Sequence, residues 1–575
     1  MPPVPFVPPV PFVPPVPFVP ASRLCLPVCA RVSFVPAHWK PALAEGIDSP
    51  RDSKCLYTSG CMSRGILYLV CVSLIPASLS AAQVRLTPLL VPPAPLPDRP
   101  GVMIESAQQD SLYRRHTTGD DRSTVVRAIT RDTDGTQRNA MLLATVGGPI
   151  TLVRAGEPLA GLPGPIAGTN LGIARISRDG AIAGLMLSSS NQAVFYGGRP
   201  ASLQAKLTTS STYVSLPSEP GINGFTTFIA RDGVLYKLYS FDADRSAEPI
   251  LSQLGPAPGF PPGHQVVGFG TVISEDARLN TSGGFSLVPS RVRMGDTSAP
   301  VERVLYRVGR DGSAIPTLIG GTPIADEPGY VIGAIEPRGG ISDDGTVFAS
   351  APARHMSGGP TLGSGLYIAR PSAQPERLLQ AGRPFAPIPS WNVQDLGSVV
   401  VGRNRHAAVS LSLSQPGNTT GRIPLMSWHD DAWAIIAEVG QTMPGGGTLS
   451  FLSSVRIEGD SLAVSDDGAV AFIAGNGDAE RTALYIRDSG GTLHHVFSEG
   501  DTVSAPGLPS FQIPYQSFNP SSIGPVFASS EGHFVVTAAG RVLAVSVPEP
   551  AGLALLAFTV ALLAGTGKRH RRCAP

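Results

Sequence analysis

The sequence predicts an all-β body folded as a β-propeller of about seven degenerate blades, with an N-terminal signal helix and a C-terminal membrane helix. Tandem β-sandwiches are the alternative architecture. Three observations lead there: a turn-rich composition, a recurring turn-and-strand unit, and an apolar segment near each end of the 575-residue chain.

Gly (64) and Pro (57) are abundant and charged residues make up only 15%, a balance that favours short strands and turns over helices. Hydrophobic residues, 42% in all, run the length of the chain, which disordered sequences do not show. The net charge of +1 supplies no basic face, so nucleic acid is not expected as a partner. All six cysteines lie near the ends, at 25, 29, 55, 61, 71 and 573. From Gln83 to Val547 there is none, which excludes a disulfide framework and a thiolate metal site in the body. Roughly 465 residues suffice to bury a core without them.

Residues 1–61 form a Pro-rich low-complexity segment, with Val-Pro-Phe-Val-Pro-Pro recurring from Val4, Val10 and Val16. Repeated proline fixes φ and removes donors, so the repeat is extended. It reads as a Pro-rich ligand, a linker, or upstream sequence that is not translated. A secretory signal follows at 62–82. Arg64 supplies the positive charge, 65–79 the apolar stretch, and Ser80 and Ala82 the small residues before a cut between Ala82 and Gln83, with a cut after Ser80 as the alternative. Residues 83–117 read as a lead-in and 118–547 as the propeller body.

The tail, 547–575, has three parts in order. Val547-Pro548-Glu549-Pro550 is followed by an uncharged apolar run over 551–567 and then by Lys568, Arg569, His570, Arg571 and Arg572. The apolar run is a marginal span, roughly 25 Å of helix against a hydrocarbon core of about 30 Å. The basic cluster fixes its end in the cytoplasm.

This tail resembles the PEP-CTERM sorting signal of Gram-negative bacteria. The resemblance implies recognition by an exosortase-type sorting protease near the Pro-Glu-Pro motif. It also implies an intermediate anchored in the inner membrane, and final delivery to the cell surface or extracellular matrix, often alongside exopolysaccharide. It covers 29 residues and leaves the body unassigned.

The body carries a degenerate repeat. Ile341-Ser342-Asp343-Asp344-Gly345 and Val464-Ser465-Asp466-Asp467-Gly468 are its clearest copies. Ile176-Ser177-Arg178-Asp179-Gly180 and Ile229-Ala230-Arg231-Asp232-Gly233 are weaker ones. Asp-Gly favours a tight turn and the apolar residues after it read as a strand. A second element follows some 30 to 40 residues on, an apolar strand ending in Gly and a polar residue, as at Gly156-Glu157, Gly382-Arg383, Gly440-Gln441 and Gly500-Asp501. Strands such as 365–370 and 483–487 lie between. Units starting near 130, 177, 230, 274, 342, 402 and 465 match the strand count of propeller blades, and the strands near 527–547 are placed to close the ring by joining the first blade. The body also resembles the propeller-like repeats of other exported PEP-CTERM proteins.

Ser-Asp-Asp-Gly lacks the alternating acids and the twelfth-position Glu of a calcium loop, and reads as a turn. Adjacent His494 and His495 point to opposite faces of a strand, and His429-Asp430-Asp431 reads as a hairpin turn, so neither makes a zinc site. Gly358-Gly359 and Gly445-Gly446-Gly447 lack the context of a phosphate loop, and Gly-x-Ser-x-Gly is absent. No catalytic or metal residue and no cofactor is called for. The expected function is therefore a binding or structural module of an exported protein. An exported hydrolase or lyase, with a site assembled at the channel from several blades, is the alternative.

Overall fold

The computed structural model describes residues 84–108, 122–162, 164–167, 174–177, 179–187, 192–197, 203–209, 213–215, 217–270, 280–417, 421–452, 461–477, 481–515, 523–529 and 532–547. The signal segment, its cut at Ala82 and Gln83, and the tail residues Pro548, Glu549, Pro550, Lys568, Arg569, Arg571 and Arg572 lie outside this set. The chain divides into compact units 1–77 and 78–575, and every described residue belongs to the second. No helix among the described residues is long and apolar enough to cross a membrane.

The described strands form an eight-bladed β-propeller. Blade 1 is built on Met103–Gln108, Thr124–Arg131, Gln137–Ala144 and Ile150–Arg154, and blade 2 on Ala174–Ile176, Ile182–Leu187, Gln192–Gly197 and Gln204–Thr209. Blades 3 to 7 repeat the meander, ending with Leu493–Ser498. A hairpin, Thr502–Ala505 with Leu508–Gln512, leads to blade 8. That blade takes three strands from Ile523–Ala528, His533–Ala538 and Arg541–Ser546, and its fourth from Arg85–Leu90. Within 83–117, Arg85–Leu90 thus supplies the closing strand of blade 8, and Met103–Gln108 the first strand of blade 1.

Eight hydrophobic clusters lie between successive blades, and together they describe a ring. Phe348, Leu366 and Ile368 of blade 5 pack with Val409, Met426 and Trp428 of blade 6. Tyr367 and Ala369, one residue out of step, face Leu305 and Leu318 of blade 4. Each middle strand is therefore apolar on both faces, which explains why simple alternation is blurred in the sequence. The ring closes where Leu89, Leu90, Ile104 and Leu142 meet Val535, Val542 and Ala544. First strands of neighbouring blades touch, as Glu336–Ile341 touches Ile388–Val401, which sets them around the axis.

The repeat motifs prove to be two kinds of joint. Ser342-Asp343-Asp344-Gly345 and Ser465-Asp466-Asp467-Gly468 turn the first strand of a blade into its second. Ser342 N–H donates to Thr346 O (2.9 Å), Thr346 N–H to the Asp344 carboxylate (2.9 Å), and Gly345 sits at φ 82°. The Gly-polar element ends a fourth strand. Its glycine N–H donates to the next blade's first strand or its lead-in: Gly156 to Ile166, Gly382 to Val393, Gly440 to Leu449 and Gly500 to Ile513. Arg231-Asp232-Gly233 instead joins the second and third strands of blade 3, so that copy, counted as a blade start, is out of phase. The seven unit starts fall one in each of blades 1 to 7, and the eighth blade is the one assembled from both ends of the body.

Candidate functional site

Because strands alternate in direction, the first-to-second and third-to-fourth turns lie on one face, called here the turn face. The remaining turns and the blade-to-blade connections lie on the other, the connection face. Turn-face contacts run from blade to blade. Ile222 N–H donates to Gly283 O (2.7 Å), Ser282 Oγ to Asp343, Asp343 N–H to Arg403 O (2.9 Å), and Asn404 Nδ2 to Asp466 O (2.9 Å). Gly532 N–H donates to Asp467 Oδ1 (3.1 Å) and Arg122 Nη2 to His533 Nε2 (3.0 Å). These carboxylates are engaged in holding turns together. Among the described residues, no three His, Cys, Asp or Glu side chains are grouped to hold a metal.

The histidine motifs resolve into local contacts. His494 Nε2 lies 2.8 Å from Asp488 Oδ2, while His495 Nε2 lies 2.8 Å from Ser498 Oγ with its ring against Tyr485. Asp430 and Asp431 both have positive φ (45° and 63°), as a tight hairpin turn requires. Val547 N–H donates to Gly532 O (3.0 Å). Val547 is the one sorting-motif residue described, and it leaves the ring at the turn face.

His429 stacks on His406 with ring centres 3.7 Å apart and planes 10° from parallel. Arg405 approaches Asp344 and Asp430, each at 3.6 Å. Burial pushes the His406 imidazole down to about 4, the neighbouring His429 adds to the shift, and Asp467 and Asp430 oppose it. An unfolded histidine titrates near 6.5. Below that pH the unfolded chain binds a proton that the native ring refuses, so stability falls as pH drops from 6.5 toward 4. The slope is about 1.4 kcal/mol per pH unit at full development. His406→Phe is expected to flatten this part of the urea-midpoint profile, and an unchanged profile would reject the assignment.

On the connection face, a cleft of about 540 Å³ opens beside blade 1, lined by Ile129, Thr136, Gln137, Arg138, Asn139, Ala155, Gly156 and Ile166. The second-to-third turn brings Thr136 and Gln137 to its rim, and the connection toward blade 2 supplies Gly156 and Ile166. Gly156 is required here. Its φ is 85°, and a Cβ would lie 2.5 Å from Arg138 Nη1. Arg138 Nη1 donates to Ala155 O (3.2 Å), and Nε to Asp132 (2.9 Å). Asp132 also takes Nη2 of buried Arg154, whose Nε donates to Thr130 Oγ1 (2.9 Å). The Arg154 hydrogen bond holds the Asp132 carboxyl below its usual range, against the effect of burial and with help from Arg138. Glu105 takes Gln137 Nε2 (2.6 Å) and Arg131. The cleft thus presents amide, hydroxyl and guanidinium groups, of which the Gln137 and Arg138 side chains are held from behind.

Sequence reasoning did not find this cleft. Its signal is a charged residue at one end of each of two strands whose remainder is largely apolar, Arg138 beside Gln137 and Asn139 at a start and Arg154 at an end.

Comparison with known proteins gives a partial match. Residues 305–513, a little over a third of the chain, match a family of unknown function (DUF7453). No curated protein matches. Among solved structures, the chain is similar to TolB from Acinetobacter baumannii at 11% identity, over 68% of this chain and 78% of that one, with a TM-score of 0.25. It is similar to Porphyromonas gingivalis dipeptidyl peptidase 4 at 11% identity, over 74% and 61%, with a TM-score of 0.38. It is also similar to an oligogalacturonate lyase in complex with manganese at 12% identity, over 81% and 99%, with a TM-score of 0.33. The chain spans less than two thirds of the peptidase.

Proposed function

We propose that this chain is an exported propeller, sorted by its PEP-CTERM-like tail and displayed at the cell surface or in the matrix. There it binds a hydroxyl-rich ligand such as exopolysaccharide. The observation that carries the binding reading is the lining of the blade 1 cleft. Thr136, Gln137, Arg138 and Asn139 offer donors and acceptors side by side along its lining, the group types that fix a polar ligand's orientation.

The closing strand supports the geometry of display. Arg85 pairs with Ser546, so a signal removed before Gln83 and a tail beginning at Val547 both depart at the turn face. The cleft then opens on the opposite face, away from the anchor.

The test is saccharide binding by the exported protein purified from its host, using calorimetry against neutral and uronate-containing oligosaccharides. Arg138→Ala and Gln137→Ala are expected to weaken binding at least tenfold. A protein that binds no saccharide at millimolar concentration would end the reading. Release of new reducing ends or unsaturated products from the same oligosaccharides would favour the hydrolase or lyase alternative instead.

A further inference from the structure

Arg175 is out of keeping with its surroundings. It lies in Ala174–Ile176, the first strand of blade 2, between two apolar residues that pack against blade 1. Only 8% of it is exposed. Its Nε is enclosed without a hydrogen-bond partner, and among the described residues its guanidinium makes no ion pair. Burial lowers its pKa, and Glu219, in the first-to-second turn of blade 3, is the charge that opposes this. Glu219 is only half-buried and is not bonded to Arg175. A buried cation without a paired anion is strongly disfavoured, and such groups call for an explanation.

The position supplies one. Ala174–Ile176 pairs on one side only, with Ile182–Leu187, and its free edge faces the axis. It runs toward the turn face, so Arg175 and Glu219 lie near that mouth of the channel, where blades 2 and 3 meet. Nε is enclosed, but the two Nη groups are not among the enclosed atoms, and they offer the end-on pair of donors that receives a carboxylate through two parallel bonds.

We propose that Arg175 anchors a second binding site, for the carboxylate of a ligand entering the channel at the turn face, with Glu219 as the competing internal carboxylate. The site is separate from the blade 1 cleft. It requires a negative group, where the cleft requires hydroxyls.

The experiment uses the full exported protein with three probes: acetate, glucuronate and glucose, compared at constant ionic strength by thermal shift and calorimetry. Acetate and glucuronate are expected to raise the melting temperature and glucose to leave it unchanged. A larger effect of glucuronate than of acetate would assign the sugar ring a share in binding. Glu219→Gln is expected to tighten carboxylate binding several-fold by removing the competitor. Arg175→Met and Arg175→Gln are expected to abolish the carboxylate effect. The methionine variant should melt, without ligand, no lower than the parent, since it removes an uncompensated charge. The proposal is overturned if carboxylates shift neither the parent nor Glu219→Gln. It is equally overturned if the shift survives in both Arg175 variants. Arg138→Ala, which tests the cleft, should leave the carboxylate effect intact, so failure of one site is distinguishable from failure of the other.

Discussion

Replacing Leu89 and Leu90 together with alanine is expected to open the ring and lower the urea midpoint more than any other pair of core truncations. Both side chains are almost wholly buried, at 3% and 2% exposed. Neighbours on a regular strand would point to opposite faces. Here the register slips between Pro88 and Leu90, a bulge that lets both leucines enter the cluster between blades 8 and 1. Buried Leu→Ala changes cost about 2–5 kcal/mol each, against a total stability of about 5–15 kcal/mol. Position adds to this cost. The strand pairs Arg85 with Ser546 across the whole body, so weakening it releases the two ends that make the sheet continuous. The expected signature is a lower midpoint together with early proteolysis in blade 8. Val234→Ala, at a residue 78% exposed, serves as the control and should be silent. A double variant that unfolds at the parental midpoint would show that the closing strand contributes little.

The sequence made the architecture legible because its two joints have strong local chemistry. Asp-Gly at Gly345 and Gly468 marks a turn that only a few residue types tolerate, and the Gly-polar element at Gly382 or Gly500 marks the end of a blade. What escaped was phase. Asp232-Gly233 uses the same chemistry for a different turn, and nothing local distinguishes the two. The eighth blade escaped because its strands, Arg85–Leu90 and Arg541–Ser546, are neighbours only in space. The candidate sites were less legible still. Arg138 stands in the polar start of a strand and Arg175 between two apolar residues, and only the fold shows that one is held by Asp132 and the other by no ion pair among the described residues. The stacked His406 and His429 stand on different strands, and no spacing rule joins them.

Asp242 should be the most sensitive single carboxylate in the protein. Its side chain is fully buried in the third-to-fourth turn of blade 3. It accepts from Arg245 Nε (2.9 Å), from Arg310 Nε of blade 4 (2.8 Å), and from the backbone N–H groups of Asp244 (3.0 Å) and Arg245 (2.9 Å). Arg310 N–H in turn donates to Gly284 O (3.0 Å), so the carboxylate links the turns of two blades. Burial alone would raise the Asp242 pKa. The bonds from Arg310, Arg245 and the two backbone donors outweigh it and hold the group below 3.8. Asp242→Ala removes a charged acceptor from four donors and is expected to cost about 2–4 kcal/mol. Both arginines keep some access to water, which limits the loss compared with stranding a buried charge. Asp242→Asn keeps the shape and one acceptor oxygen, and should cost less. The pH dependence has a definite sign. With the native pKa depressed, the stabilisation is complete above the unfolded value and disappears as pH falls through the native one. Parent and Asp242→Asn should therefore differ most near neutrality and converge in acid below pH 3.8, when followed by urea midpoints across that range. A gap that stays constant down to the acid limit would mean that Asp242 acts through turn geometry and not through its charge.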